Sequence, residues 1–146
     1  MSQPEQASNT NWTLLFLCWL LVSISTTISV FFSYVLEYEP CVLCWYQRIC
    51  LFPLIFIFAA GLLPAFDKNV IKYALPLAIA GGLTAFYHTL LYAGIIPESI
   101  QPCSKGVSCT EKYIELFGFV SIPMLSFFAF STIVTLLIIL KRRTSK

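Results

Sequence analysis

The chain is 146 residues long, with 58% hydrophobic residues, only 11% charged residues and a formal net charge of +2. Its mean hydropathy is +0.83. A soluble domain has about 45–50% apolar and about 25% charged residues, and a chain this short cannot bury so much apolar surface in water. The composition therefore predicts an integral membrane protein. It excludes a disordered chain and a nucleic-acid-binding protein with a broad basic patch.

Four apolar segments are long enough to cross a bilayer, since about 20 apolar residues span it as a helix. In chain order they cover residues 12–35, 45–63, 73–96 and 117–140. The sequence therefore predicts a single all-α membrane domain over residues 1–146, built as a bundle of four transmembrane helices. Loops at residues 36–44 and 97–115 join the segments on one side of the bundle.

The distribution of positive charge predicts the orientation of the bundle. The tail after the fourth segment and the loop between the second and third segments together carry six cations, against three on the opposite side. Positively charged residues stay on the cytoplasmic side of a membrane. Both termini are therefore predicted to be cytoplasmic, and the loops at 36–44 and 97–115 are predicted to face outward. No cleavable signal peptide is expected.

Four of the six cysteines lie on the outward loops. Cys41 and Cys44 form a C-x-x-C motif before the second segment, and Cys103 and Cys109 form a C-x5-C motif in the second loop. Disulfides form and persist in an oxidising outer compartment, so the charge pattern places two candidate redox pairs there. Four cysteines admit three pairings. The two local pairs are favoured, and pairing between the loops stays possible.

The C-x-x-C spacing favours a redox site over a structural one. A disulfide between residues so close in sequence removes little chain entropy and therefore stabilises little. Two structural disulfides remain the alternative. Structural zinc sites usually combine two C-x2–4-C pairs, which the C-x5-C spacing does not match, so no metal is expected. Cys18 and Cys50 lie inside the predicted spans at different depths, and we expect both to be ordinary membrane-buried residues.

Two polar residues lie within the spans near the C-x-x-C motif. Arg48 follows Cys44 by one helical turn on the same face, where its charge would stabilise a thiolate. His88 lies at a similar depth when it is counted back from the end of the third segment. Ionisable residues inside a membrane are functional candidates, although each has a structural alternative: a snorkelling arginine and a buried histidine. Together with a thiol pair they would suit a lipid-soluble two-electron acceptor such as a quinone.

The segment C-V-L-C-W-Y-Q-R at residues 41–48, which opens the second span, resembles the signature of the DsbB family of disulfide-bond formation proteins. The short second loop resembles that of the compact BdbC-like branch. The resemblance implies a thiol:quinone protein-disulfide oxidoreductase of the bacterial inner membrane, with redox loops facing the periplasm or cell exterior. Such an enzyme reoxidises a thioredoxin-like (DsbA-like) dithiol oxidase and passes the electrons to a membrane quinone, ubiquinone or menaquinone.

The same resemblance implies a role for each cysteine of the two motifs. Cys103 would form the mixed disulfide with the partner, and Cys109 would resolve it. Cys41 would receive electrons from this outer pair, and Cys44 would react with the quinone beside Arg48. The histidine of the third span matches a position near the family's quinone site. The chain departs from longer members in the outer pair, since only five residues separate its two cysteines.

Two alternative functions stay open. A quinone reductase like the vitamin K epoxide reductase family also has four membrane helices, but its C-x-x-C lies late in the bundle, after the loop cysteines. A small membrane scaffold with structural disulfides is the non-enzymatic alternative. The scaffold hypothesis predicts that Cys41 and Cys44 resist mild reductants and that no quinone copurifies.

Overall fold

Four long helices make up most of the computed structural model, which describes residues 3–63, 65–100, 102, 109, 115–116 and 120–145. Each helix is long and apolar enough to cross a membrane. The all-helical, four-span architecture predicted from hydropathy is therefore confirmed. In chain order the helices are α1 (Gln3–Tyr34), α2 (Val42–Leu62), α3 (Val70–Tyr92) and α4 (Ile122–Thr144).

Helix α2 begins directly after the first cysteine of the C-x-x-C motif. Cys41 is its N-cap, and the Cys41 sulfur accepts a hydrogen bond from the backbone N–H of Cys44 at 3.4 Å. A side chain at this position satisfies one of the N–H groups that the first turn of a helix leaves unpaired. Cys44 therefore lies within the first turn of α2.

Helix α3 ends four residues before the predicted end of the third span. It stops at Tyr92, and Gly94 follows with a φ of 72°. Glycine adopts this left-handed conformation without a steric penalty, which is why it commonly ends helices. A short 3-10 turn at Glu98–Ile100 comes next. His88 consequently lies about one turn from the end of its helix, shallower than the count along the sequence predicted.

Helix α4 begins at Ile122 instead of residue 117. A short antiparallel strand pair, β1 (Glu115–Leu116) and β2 (Val120–Ser121), occupies the residues before it. Pro123 lies in the first turn of α4, where its missing N–H would have had no partner within the helix. The fourth helix therefore begins where Pro123 fits the first helical turn, and not where the apolar run begins.

The larger apolar core runs along the bundle, and α3 approaches α4 closely within it. Phe58 and Phe130 are its largest fully buried side chains. A Cβ atom built on Gly81 would overlap the ring of Phe130. The absence of a side chain on Gly81 therefore makes room for the Phe130 ring.

Two hydrogen bonds define one end of the bundle, which we call the terminal end. Arg143 Nε donates to Asn11 Oδ1 at 3.2 Å, and Trp12 Nε1 donates to the carbonyl oxygen of Leu62 at 3.4 Å. They bring together the beginning of α1 and the ends of α2 and α4. That this end faces the cytoplasm stays a prediction.

A second, smaller buried cluster lies at the start of α2 and the end of α3, and we call it the cysteine end. Its buried members are Cys41, Leu43, Leu91 and Cys109. Two cysteines from different motifs are thus packed into one apolar cluster.

Candidate functional site

His88 on α3 joins the two cysteine-bearing segments. Its Nε2 atom lies 3.8 Å from the sulfur of Cys41 and 3.2 Å from the carbonyl oxygen of Cys109. All three residues are buried, with 3–7% of their surfaces exposed. Segments far apart in sequence therefore meet at a single imidazole nitrogen.

The cysteines at this end of the bundle are in different redox states. Cys41 and Cys44 carry free thiols, and their sulfur atoms lie 3.0 Å apart in a hydrogen bond. Cys109 is disulfide-bonded. Cys103, the other cysteine of the predicted outer pair, lies outside the described residues. The arrangement combines a reduced C-x-x-C motif with an oxidised cysteine in the second loop.

Hydrogen bonds to the Cys41 sulfur favour its thiolate. The thiol of Cys44 has the largest effect, and burial opposes it. The hydrogen bond of His88 adds to the Cys44 effect. Together these contacts lower the pKa of Cys41 from 9.0 to about 4. The thiolate is the nucleophilic form and the better leaving group of a cysteine, so Cys41 is prepared for disulfide exchange at neutral pH.

A hydrogen-bonded chain reaches the other nitrogen of the same imidazole. His88 Nδ1 lies 3.1 Å from Gln47 Nε2, and the hydroxyl of Ser126 on α4 donates to Gln47 Oε1. Gln47 is also buried. The ring is thus connected to α2 and α4 on one side and to both cysteine segments on the other.

Arg48 is buried against α1. Its Nε donates to Ser29 Oγ at 2.9 Å, and its NH2 nitrogen donates to the Ser29 carbonyl oxygen at 2.6 Å and to the Ser33 hydroxyl. The guanidinium carbon also lies 5.5 Å from the centre of the Trp45 ring. A snorkelling arginine reaches toward lipid headgroups, whereas this one is 8% exposed and has three hydrogen bonds within the bundle.

A cavity of about 500 Å³ contains these polar groups. Its size is in the range of small-molecule binding sites. Arg48, His88 and the thiols of Cys41 and Cys44 all line it. Its apolar walls come mainly from α1 and α4 and include Ile24, Ile28, Phe32, Leu125 and Phe128. Most of these apolar residues are also exposed on the outside of the bundle, so the walls are continuous with the outer apolar surface.

The ligand atoms of Cys41, Cys44 and His88 lie within 4.8 Å of one another, a spacing that one metal ion can bridge. A metal needs the lone pair of the imidazole nitrogen. In this structure His88 Nε2 faces the carbonyl oxygen of Cys109, which only accepts hydrogen bonds. Nε2 therefore donates a hydrogen bond in this arrangement and offers no lone pair to a metal ion.

The serines that hold the polar side chains were not among the residues predicted for the site. Ser29 and Ser33 are four residues apart, a spacing that places both on one face of a helix. That spacing could have indicated a polar face on α1 turned toward the bundle. Ser126 carries no such signal, because its contact with Gln47 depends on how α4 is rotated against α2.

Comparison with known proteins identifies the family. The family described as "Disulfide bond formation protein DsbB" matches residues 9–140. The chain belongs to the DsbB family. A DsbB-family chain with four helices of this length and hydropathy is a multi-pass membrane protein.

Several curated relatives are similar to this DsbB-family chain over nearly its whole length. A "Probable disulfide formation protein" from Metapseudomonas resinovorans is 49% identical over 96% of this chain and 97% of the relative. "Probable disulfide formation protein C 2" from Bacillus cereus is 42% identical, over 89% and 92%. "Disulfide bond formation protein C" from Bacillus subtilis is 37% identical, over 90% and 95%. No solved structure matches significantly.

Proposed function

We propose that this protein is a thiol:quinone oxidoreductase that reoxidises a thioredoxin-like dithiol oxidase and so supports disulfide formation in exported proteins. One observation carries the proposal: His88 Nε2 contacts both the Cys41 sulfur and the Cys109 carbonyl oxygen beside an apolar cavity. Disulfide exchange requires direct attack of one sulfur on another, so two cysteine pairs must meet to exchange electrons. The family match supports a role in disulfide formation.

The proposed reaction moves two electrons through two cysteine pairs. The partner's dithiol first reduces the Cys103–Cys109 disulfide, through a mixed disulfide at Cys103, and the partner leaves oxidised. The resulting thiols reduce the Cys41–Cys44 disulfide, so that each exchange forms one disulfide and breaks another. In the last step the Cys41–Cys44 dithiol closes to a disulfide again, and its two electrons and two protons reduce the quinone to a quinol.

The exchange between the pairs passes through a disulfide between Cys41 and Cys109. The sulfur of Cys109 attacks Cys41 and displaces Cys44; the sulfur of Cys103 then attacks Cys109 and displaces Cys41. Two features support this order. Cys41 and Cys109 share one buried cluster, and the low pKa of Cys41, about 4, makes it a good leaving group.

The cavity has the donor set expected of a quinone site. Its walls are mainly apolar, and its buried charge is that of Arg48, close to the C-x-x-C thiols, whereas Glu39, which also lines the cavity, is exposed. A quinone supplies a two-electron acceptor, and negative charge develops on its oxygens as it is reduced. The guanidinium of Arg48 would stabilise that charge, and apolar side chains such as Ile28 and Phe128 would hold the ring. Ubiquinone and menaquinone share this chemistry.

We further propose that the cysteine end faces the periplasm or cell exterior across a bacterial inner membrane. The last turn of α4, at the opposite end, carries Lys141, Arg142 and Arg143. Basic residues flanking a span favour the cytoplasmic side. This orientation would present the second loop to a partner in the oxidising compartment.

Anaerobic quinone reduction by the purified, detergent-solubilised protein tests the proposal. A reduced DsbA-like protein serves as electron donor, and the absorbance of ubiquinone or menaquinone reports turnover. We expect turnover in the wild type and its loss in Cys44→Ser and in Cys103→Ser. Cys50→Ser is the matched control, because Cys50 lies on the same helix as Cys44 and does not line the cavity.

Absence of turnover with either quinone and with several DsbA-like donors, in a protein that is folded, would contradict the proposal. The membrane scaffold with structural disulfides would then be the better account. Turnover that persists in Cys103→Ser would instead exclude the two-pair route.

A further inference from the structure

His88 is the only histidine in the chain, and its two ring nitrogens face different kinds of partner. Nε2 lies 3.2 Å from the carbonyl oxygen of Cys109. A carbonyl oxygen only accepts hydrogen bonds, so Nε2 must carry the proton. In a neutral imidazole the other nitrogen, Nδ1, then has only a lone pair and needs a donor.

Gln47 supplies that donor only if its amide has one particular orientation. The side chain offers either an oxygen or an NH2 group, and its nitrogen lies 3.1 Å from Nδ1. The hydroxyl of Ser126 donates to the amide oxygen, which keeps the oxygen toward α4 and the NH2 toward the ring. Gln47 and His88 are 7% and 3% exposed, so bulk water does not reach these contacts to replace them.

We propose that Gln47 and Ser126 are positioning residues that hold His88 as the Nε2–H tautomer. A single N–H then donates to both the Cys41 sulfur and the Cys109 carbonyl oxygen. In the opposite tautomer, the lone pair on Nε2 would face the lone pairs of the Cys109 carbonyl oxygen. The N–H on Nδ1 would face the NH2 group of Gln47. Both ends of the imidazole therefore favour the same proton position.

The consequence for the chemistry rests on the proposed function. When Cys103 displaces Cys41 from Cys109, the electron pair of the broken S–S bond stays on the Cys41 sulfur. The N–H of His88 points to that sulfur and also donates to the Cys109 carbonyl oxygen, which keeps Cys109 beside Cys41. Gln47 and Ser126 have no hydrogen bond to the sulfur of Cys41 or Cys44, so both act through the imidazole.

Nitrogen NMR of the protein labelled with 15N-histidine tests the inference directly. Because the chain has one histidine, the two ring-nitrogen signals belong to His88 alone. With the C-x-x-C reduced and the ring neutral, we expect a protonated Nε2 and an unprotonated Nδ1 in the wild type. Ser126→Ala should lower the ratio of the two tautomers at least ten-fold, and Gln47→Leu should lower it further.

Two variants serve as controls. Ser126→Thr keeps a hydroxyl at the same position and should restore the wild-type tautomer ratio. Ser131→Ala removes a serine hydroxyl from the same helix outside the cavity and should change nothing. Wild-type signals in a folded Ser126→Ala protein, or a wild type protonated at Nδ1, would overturn the inference.

The NMR result separates this inference from the proposed function. The tautomer is observed without a partner or a quinone, so it can be established even if turnover fails. Conversely, normal turnover together with an unchanged tautomer in both variants would leave the function standing and reject the positioning role.

Discussion

Arg48 on α2 is held by Ser29 on α1 through two hydrogen bonds, one to the serine hydroxyl and one to its backbone carbonyl. A guanidinium presents its donors in a rigid fork, so two acceptors from one residue fix both its position and its plane. The guanidinium in the cavity is therefore placed by a helix that carries none of the four cysteines of the proposed redox pairs.

Removing the serine hydroxyls around Arg48 should weaken quinone binding. In a Ser29→Ala, Ser33→Ala double variant we expect the KM for quinone to rise about ten-fold or more, because a hydrogen bond to a charged group is worth about 1.5–3 kcal/mol. The KM for the DsbA-like donor should stay unchanged. Steady-state kinetics with each substrate varied in turn checks both values.

Ser25→Ala is the matched control for that double variant. Ser25 lies one turn before Ser29 on α1 and also lines the cavity. An equal rise in quinone KM for the control and the double variant would show that any loss of polarity on α1 has the same effect, against a specific role of the Arg48 contacts.

The thiol of Cys44 should set the pH dependence of Cys41 reactivity. With the pKa of Cys41 at about 4, its alkylation rate should stay level from neutral pH down to about pH 5 and fall below that. Cys44→Ala removes the largest contribution to this shift, so the fall should move to higher pH. Mass spectrometry of alkylated peptides measures the rate at Cys41 alone.

Cys44→Ser keeps a hydroxyl donor at the same place, so its profile should stay closer to the wild type. Identical profiles for the alanine and serine variants would contradict the role of the hydrogen bond.

The depressed pKa of Cys41 also makes the reduced folded state more stable above pH 9. This contribution is lost progressively as the pH falls from 9 to about 4, because the unfolded chain binds the proton first.

The approach of α3 to α4 predicts opposite effects at two adjacent glycines. In Gly81→Ala the new methyl group would overlap the ring of Phe130, which is buried and cannot move away freely. We expect a loss of about 1–3 kcal/mol, as for other overpacked cores. In Gly82→Ala the nearest atom is 3.6 Å away, an ordinary contact, so the variant should be neutral or more stable by up to about 1 kcal/mol.

Thermal unfolding of both glycine variants in the same detergent measures the difference. Phe130→Leu removes the end of the ring, and combining it with Gly81→Ala should cost less than the sum of the two single variants. Strict additivity would show that the two residues do not share the space.

The remaining two cysteines should be dispensable for electron transfer. Cys18 is fully buried in the large core, Cys50 packs against it, and neither lines the cavity. A Cys18→Ala, Cys50→Ala double variant should therefore retain turnover, with only the modest loss of stability that a small buried truncation causes. A large loss of turnover in a folded double variant would point to an additional thiol in the reaction.

Hydropathy was sufficient to predict four helices, because a span of about 20 apolar residues has few other structures available in lipid. It did not predict where they end. Gly94 stops α3 early through its backbone conformation. Strand β2 (Val120–Ser121) pairs with β1 and delays the start of α4, although β2 lies within the predicted apolar span. Local geometry, rather than hydropathy, decides such boundaries.

The candidate site was predictable in part for a similar reason. The proximity of Cys41 and Cys44 follows from their spacing, whereas the depth of His88 depended on a helix end that was misplaced by one turn. The contacts of Arg48 with Ser29 and of Gln47 with Ser126 depend on how the helices are rotated against one another. A single sequence carries no measure of that rotation.

The walls of the cavity continue into the outer apolar surface of α1 and α4, so a ligand that enters between these helices arrives from within the bilayer. The concentration that governs its binding is then its mole fraction in lipid rather than its molarity in water. At a fixed total amount of the proposed quinone substrate, added lipid or detergent dilutes it and raises the apparent KM. Values of KM for such a ligand therefore become comparable between preparations only when they are expressed as mole fractions in the lipid or detergent.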